Sequence, residues 1–144
     1  MVEDFKRDLE RGKFHERYIL NKIQNKYSKA YIVDGYYKEY DIYVPELDFG
    51  IEVKFDERSS QTGNIIIETE SNDKPSGIST TKAKYWVIYD GEQYNWILTD
   101  NIKKCIEIHN CKERKFVCRG DTKTKKAYLI KRFLFSKYKE KKHL

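Results

Sequence analysis

The sequence predicts a mixed α/β (α+β) layer protein, and three observations carry that reading. An amphipathic helical pattern fills the first 27 residues, a series of short strand-like runs follows, and a helix with further strands closes the chain. The 144 residues suit a single domain, residues 1–144, and suffice to enclose a hydrophobic core. At 39% hydrophobic and 15% aromatic the chain is too apolar for a disordered one, although 36% of it is charged.

The helix is predicted over residues 3–27, where Phe5, Leu9, Phe14, Tyr18, Leu20, Ile23 and Tyr27 recur mostly at three- and four-residue steps. Gly12 marks a possible division into a short and a longer helix. Ala30–Val33 is a short apolar strand. Glu39–Val44 alternates, with Tyr40, Ile42 and Val44 on one side and Asp41 and Tyr43 on the other. Pro45, Asp48 and Gly50 supply a turn into a strand over Phe49–Phe55. Asn64–Glu70, with isoleucine at 65, 66 and 67, reads as a buried strand. A loop covers 71–77, and Ser79 or Thr80 caps a short helix toward Ala83. Tyr85–Tyr89 and Tyr94–Leu98 pair across Asp90-Gly91, and a helix runs from Thr99 or Asp100 to about Ile108. Lys115–Cys118 and Tyr128–Lys131 are strands, and a terminal helix starts near Arg132. Trp86 and Trp96 are assigned to the core.

Charge is unevenly placed. The net is +6, yet residues 112–144 hold thirteen Lys/Arg against three Asp/Glu, and the first 111 hold sixteen against twenty. A basic end of this kind suits contact with a polyanion, or is simply a solvated lysine-rich surface. No apolar run reaches the roughly 18 residues of a membrane span, and the N-terminus lacks an apolar signal core, so no membrane partner and a cytoplasmic location are expected. Cys105, Cys111 and Cys118 have neither the number nor the spacing of a disulfide framework or zinc knuckles, even with His109 nearby, and read as small buried or half-buried thiols.

Two segments carry the chemistry. Asp41 lies on one strand and Glu52-Val53-Lys54 on the next, and strand alternation points Glu52 and Lys54 to one face. A hairpin would bring Asp41 near Glu52. Two carboxylates from different elements can hold a hard cation, Mg2+ by preference, beside a phosphodiester. Lys54 would then orient the attacking water or stabilise charge on the phosphate. Glu16 is the candidate third acid, with Arg17 and Lys13 as phosphate contacts or plain surface charges. Glu68 either approaches the metal site from a neighbouring strand or ends its strand in solvent. Gln61 either positions water or phosphate or is an ordinary polar loop residue. Thr81 and Lys82 sit in a segment suited to phosphate, or to simple helix capping. Tyr36 and Tyr37 precede Asp41 and either stack on unpaired bases or are ordinary core aromatics with the hydroxyl at the rim.

With Glu16 on the leading helix, Asp41 as first strand acid and Glu52-Val53-Lys54 as an acid-x-lysine, roughly residues 12–90 resemble the PD-(D/E)XK nuclease superfamily. The resemblance implies a restriction-endonuclease-like α-β-β-β-α-β core with a mixed central sheet, here with extra C-terminal β/α elements. Its helices and strands would be the helix to Tyr27, three strands to Glu70, the Ser79 helix and the Tyr85 strand. It also implies cleavage of DNA, sometimes RNA, with Mg2+ or Mn2+. The family's motif proline is replaced by Tyr40. The run from Thr62 to Glu68, with Pro75-Ser76-Gly77-Ile78 and Thr81-Lys82-Ala83, resembles small phage and plasmid nucleases, for which the location would be a host cytoplasm. Archaeal Holliday-junction resolvases share the layout, and a homodimer is an arrangement that this likeness allows. The expected activity is a metal-dependent endodeoxyribonuclease, open to branched or nicked DNA. The alternative is a non-catalytic nucleic-acid-binding module on the same fold, and a third is an interaction domain whose acids are surface charges.

Overall fold

The computed structural model describes residues 2–36, 38–117 and 123–141, with side chains from residue 6 onward. Tyr37, Cys118 and the side chain of Phe5 lie outside the described residues. The elements are α1 (Val2–Gln24), β1 (Tyr31–Ile32), β2 (Ile42–Val44), β3 (Phe49–Phe55), α2 (Ser59–Thr62), β4 (Asn64–Ser71), β5 (Lys74–Pro75), β6 (Tyr85–Tyr89), β7 (Tyr94–Leu98), α3 (Thr99–Ile108), β8 (Glu113–Val117), β9 (Thr124–Lys131) and α4 (Arg132–Phe135). They form a mixed α+β structure with two sheets. The first is ordered β1-β2-β3-β6-β7 and is mixed: β3 and β6 run parallel, the other neighbours antiparallel. The second, β5-β4-β9-β8, is antiparallel throughout.

The first sheet is covered on both faces. Ile19 and Ile23 of α1 pack with Ile42, Val44, Ile51, Val53, Val87 and Trp96 on one side. On the other, Trp86, Ile88 and Ile97 meet Ile65, Ile67 and Ile130 of the second sheet, Ile102 and Cys105 of α3, and Phe135 of α4. Alternation along each strand sorts these residues between the two cores, as in β6, where Val87 faces α1 while Trp86 and Ile88 face the second sheet. Both tryptophans are buried as expected. Cys105 is a buried free thiol pushed up to about 11 by burial, and Cys111, also free, reaches the Cys105 carbonyl. His109 pairs with the Tyr138 hydroxyl at 2.9 Å. Among the described residues no helix is long and apolar enough to cross a membrane.

Several sequence expectations are corrected. α1 runs unbroken through Gly12, where a Cβ would only touch Phe55; the cost of glycine in a helix, about 0.5–1 kcal/mol relative to alanine, is too small to stop a helix with a packed face. Asn64–Glu70 is not a strand of the central sheet. It is lengthened to Ser71 and belongs to the second sheet, and Ile66 is 46% exposed on its outer face. The expected helix from Ser79 is a single 3-10 turn over Gly77–Ser79, so the link from β3 to its parallel neighbour β6 consists of α2, β4, β5 and that turn. β1 and β2 are shorter than expected, and β8 and β9 start earlier. Gly50 lies inside β3, not in the turn; the left-handed turn residue is Asp48. Tyr40 lies over Gly50 and stacks on Tyr43, on the opposite face from Ile42, because Gly50 leaves the space a side chain would fill.

Candidate active site

Asp41 stands just ahead of β2, and its backbone N–H already donates to the Ile51 carbonyl at 3.0 Å. Its carboxyl is buried and turns along the hairpin, where Oδ2 accepts the Val53 N–H at 2.8 Å. Asp41 is therefore fastened to the residue between Glu52 and Lys54. The side chains of Glu52 and Lys54 share one strand face, as alternation requires, and pair at 3.3 Å. The Lys54 ammonium also lies 6.0 Å from the Trp86 ring centroid.

Glu16 arrives from α1. The rotation of that helix is set by its neighbour His15, which is 4% exposed and stacks against Phe55 and Tyr89. His15 Nδ1 lies 2.6 Å from the Tyr94 hydroxyl. With His15 held inside, Glu16 is turned toward Asp41. Lys38 joins the two acids, with Nζ 2.9 Å from Asp41 Oδ1 and 3.5 Å from Glu16 Oε1. Glu16 and Glu52 each lie near enough to Asp41 for its charge to raise their pKa values. Asp41 thus stands between two acid–ammonium pairs at one end of the β2–β3 hairpin, Glu16 with Lys38 on the α1 side and Glu52 with Lys54 on the other sheet face. Among the described residues no three His, Cys, Asp or Glu side chains form a ready-made metal cage; the Lys38 ammonium takes up the space between two of the acids.

The electrostatics follow from this crowding. Burial, together with the nearby Asp41 charge, pushes Glu52 up to about 7, although Lys54 opposes the shift. Glu16 is raised for the same two reasons, against the pull of Lys38. Burial disfavours the ammonium of Lys38, but Asp41 and Glu16 outweigh it and hold the pKa above the ordinary value. Lys54 behaves likewise, with Glu52 and Asp41 outweighing burial. The cluster can hold a proton near neutral pH.

The remaining sequence-predicted residues are placed elsewhere. Glu68 comes near Lys54 across a groove of about 280 Å3 that also involves Ile66, Trp86 and Lys125. Both Glu68 oxygens are engaged, by Lys125 at 2.8 Å and by the Ser76 hydroxyl at 2.8 Å, and it is not among the acids gathered around Asp41. Against the cost of burial these partners hold its carboxyl below the ordinary value. Thr81 Oγ1 accepts from the Ala83 N–H and from Trp86 Nε1, a local structural role. Lys82 is exposed, and Gln61 is exposed in α2 and not in a loop. Arg17 is exposed one turn from Lys13, whose carbonyl it meets at 3.4 Å.

Lys38 was missed by the sequence reading. Its only signal is a lysine three residues ahead of Asp41, a spacing with no meaning until the segment after β1 folds back over α1. The C-terminal basic residues are less free than their count suggests, since Lys115, Lys125, Lys126 and Arg132 pair with Asp73, Glu68, Glu70 and Asp90. Comparison of the chain with protein-family models, with curated proteins and with solved structures gave no match.

Proposed function

We propose that this protein is a metal-dependent endodeoxyribonuclease with a restriction-endonuclease-like core. The observation that carries the reading is the convergence of Asp41, Glu52 and Lys54, joined by Glu16, at one end of a strand pair. The order α1, β1, β2, β3 and then β6 parallel to β3 supports the fold assignment, and the departure from it is the second sheet standing where a connecting helix was expected.

The donor set fits a hard divalent cation. Its oxygens are all carboxylate, they repel one another, and burial together with the Asp41 charge pushes Glu52 up to about 7 despite Lys54. Asp41 and Glu52 would hold Mg2+ or Mn2+, with Glu16 in support. Bound there, the ion supplies charge neutralisation on the phosphate and a more acidic water. Asp41 keeps its orientation through the Val53 N–H. Lys54 places a positive charge where the phosphate gains negative charge, and its raised pKa makes it an electrostatic stabiliser, not a base. Lys38, paired with Asp41 at 2.9 Å, would be released to a phosphate oxygen if a cation took its place. Lys125 of β9, beside the Lys54 groove, would have to exchange Glu68 for a phosphate to meet the DNA backbone. Cutting both strands of a duplex requires a homodimer or two visits.

Plasmid nicking in MgCl2 tests this. Asp41→Ala and Lys54→Ala should each lower the rate by about 100-fold or more. Equal cleavage by all three proteins rejects the assignment. One observation favours a second reading, a nucleic-acid-binding module without catalysis: Lys38 already neutralises two of the acids. Salt-sensitive DNA binding in EDTA, with no cleavage on adding Mg2+ or Mn2+, would select it.

A further inference from the structure

A pocket of about 350 Å3 opens beside the acid cluster, between α1 and the segment that follows β1. Glu16 and Lys38 border both, so the pocket begins where the cluster ends. Lys13 and Arg17, one helical turn apart, make one wall, Ile32 and Val33 supply an apolar surface, and Asp34 adds a carboxylate to the lining. Neither Lys13 nor Arg17 has a carboxylate partner among the described residues; the one hydrogen bond they share is Arg17 Nε to the Lys13 carbonyl. Tyr36, fully exposed, follows Gly35 at the rim.

With Glu16 and Lys38 paired to each other, Lys13 and Arg17 outnumber the one remaining carboxylate, Asp34, and this positive excess beside an apolar surface calls for a ligand with an anionic end and a flat or apolar body. The volume is at the small end of the range for ligand sites, about 300–1,000 Å3, and far too narrow for a duplex. Its position, sharing Glu16 and Lys38 with the acids, places such a ligand next to the bond being cut. We propose that the pocket holds one unpaired nucleotide of the DNA strand that enters the acid cluster, with its phosphate on Lys13 and Arg17 and its base or sugar over Ile32 and Val33. The protein thereby prefers duplexes that carry a single-stranded tail or branch. This rests on the nuclease reading for the identity of the strand, and on the pocket for the selectivity.

The experiment measures dissociation constants in EDTA for a blunt duplex and for the same duplex with a short single-stranded tail. The wild type should bind the tailed form about tenfold more tightly, and Lys13→Ala/Arg17→Ala should lose about tenfold on the tailed form and under about twofold on the blunt one. Val33→Phe, which fills the pocket without changing charge, should show the same selective loss, and thermal melting checks that both variants remain folded. Equal affinity of the wild type for the two duplexes, or equal losses on both, overturns the proposal. Parallel cleavage assays in MgCl2 separate the two ideas: tail preference without cleavage keeps the pocket and removes the nuclease, and cleavage without tail preference does the reverse.

Discussion

Glu52 is the acid whose charge depends most on its neighbours. Its pKa rises from 4.5 to about 7, so between these values the folded protein holds a proton that the unfolded chain releases. Folding stability contributed by this group therefore falls as pH rises from about 4.5 through about 7. In EDTA, Glu52→Gln should flatten that decline in thermal melting temperature. His15, lowered by burial, works in the opposite direction below its ordinary 6.5, so the comparison must be variant against wild type. Added Mg2+ should raise the melting temperature more at pH 8 than at pH 6, because binding requires the ionised Glu52; an equal shift at both would separate Glu52 from the cation. Lys38 is the second residue to probe. Its ammonium competes for Asp41 and Glu16, so Lys38→Ala should melt lower than wild type in EDTA yet reach half-maximal stabilisation at less Mg2+. Asp41, Glu52 and Lys54 were readable in the sequence because strand alternation fixes which side chains share a face. Lys38 was not, because nothing local requires the β1–β2 connection to pass over α1.

At the level of elements, hydrophobic period predicted type well and extent poorly. α1 was recognised by its three- and four-residue steps, but the break at Gly12 did not form, since one glycine costs a helix too little to stop it. β9 begins at Thr124, in a lysine-rich stretch that reads as surface, because it pairs with β4 along its length and sets Lys125 and Lys126 against Glu68 and Glu70. The 3-10 turn at Gly77 is fixed by a close approach. Gly77 has φ +55, and a Cβ there would run into the Glu68 carbonyl. Gly77→Ala should destabilise the protein by about 1–3 kcal/mol in denaturant unfolding, from backbone strain and the clash together. A neutral result would mean that β4 and this turn are not in contact. That contact also bears on Glu68, whose second oxygen is held by Ser76 beside the turn.

At the level of the whole molecule, the first sheet is a layer held between α1 and the second sheet, and Arg132 ties the two sheets together. Its guanidinium donates to Asp90 at 2.9 Å, and Asp90 is 1% exposed in the β6–β7 turn. Asp90 is also held by Asn95 and by the backbone N–H groups of Glu92 and Gln93, which outweigh burial and keep its carboxyl below the ordinary value. Removing Arg132 with Arg132→Ala leaves that buried carboxylate one donor short, and should cost about 1–3 kcal/mol. Charge operates at the same scale. Although residues 112–144 carry thirteen basic groups, at least four face acids, so the slope of log affinity for DNA on log salt should be far shallower than thirteen phosphate contacts would give, about 0.9 per contact. A titration from low to moderate salt measures it. The sequence by itself determined the main strands of the first sheet and that Asp41 adjoins the strand carrying Glu52 and Lys54, because these follow from backbone periodicity and one short turn, whereas β5 read as loop and Tyr40 as a neighbour of Ile42. Only the tertiary structure decided that Asn64–Ser71 leaves the central sheet, that Lys38 joins Asp41 to Glu16, and that four of the basic C-terminal residues face acids. Each of those depends on contacts between residues far apart in the chain, whose free energy no local pattern records.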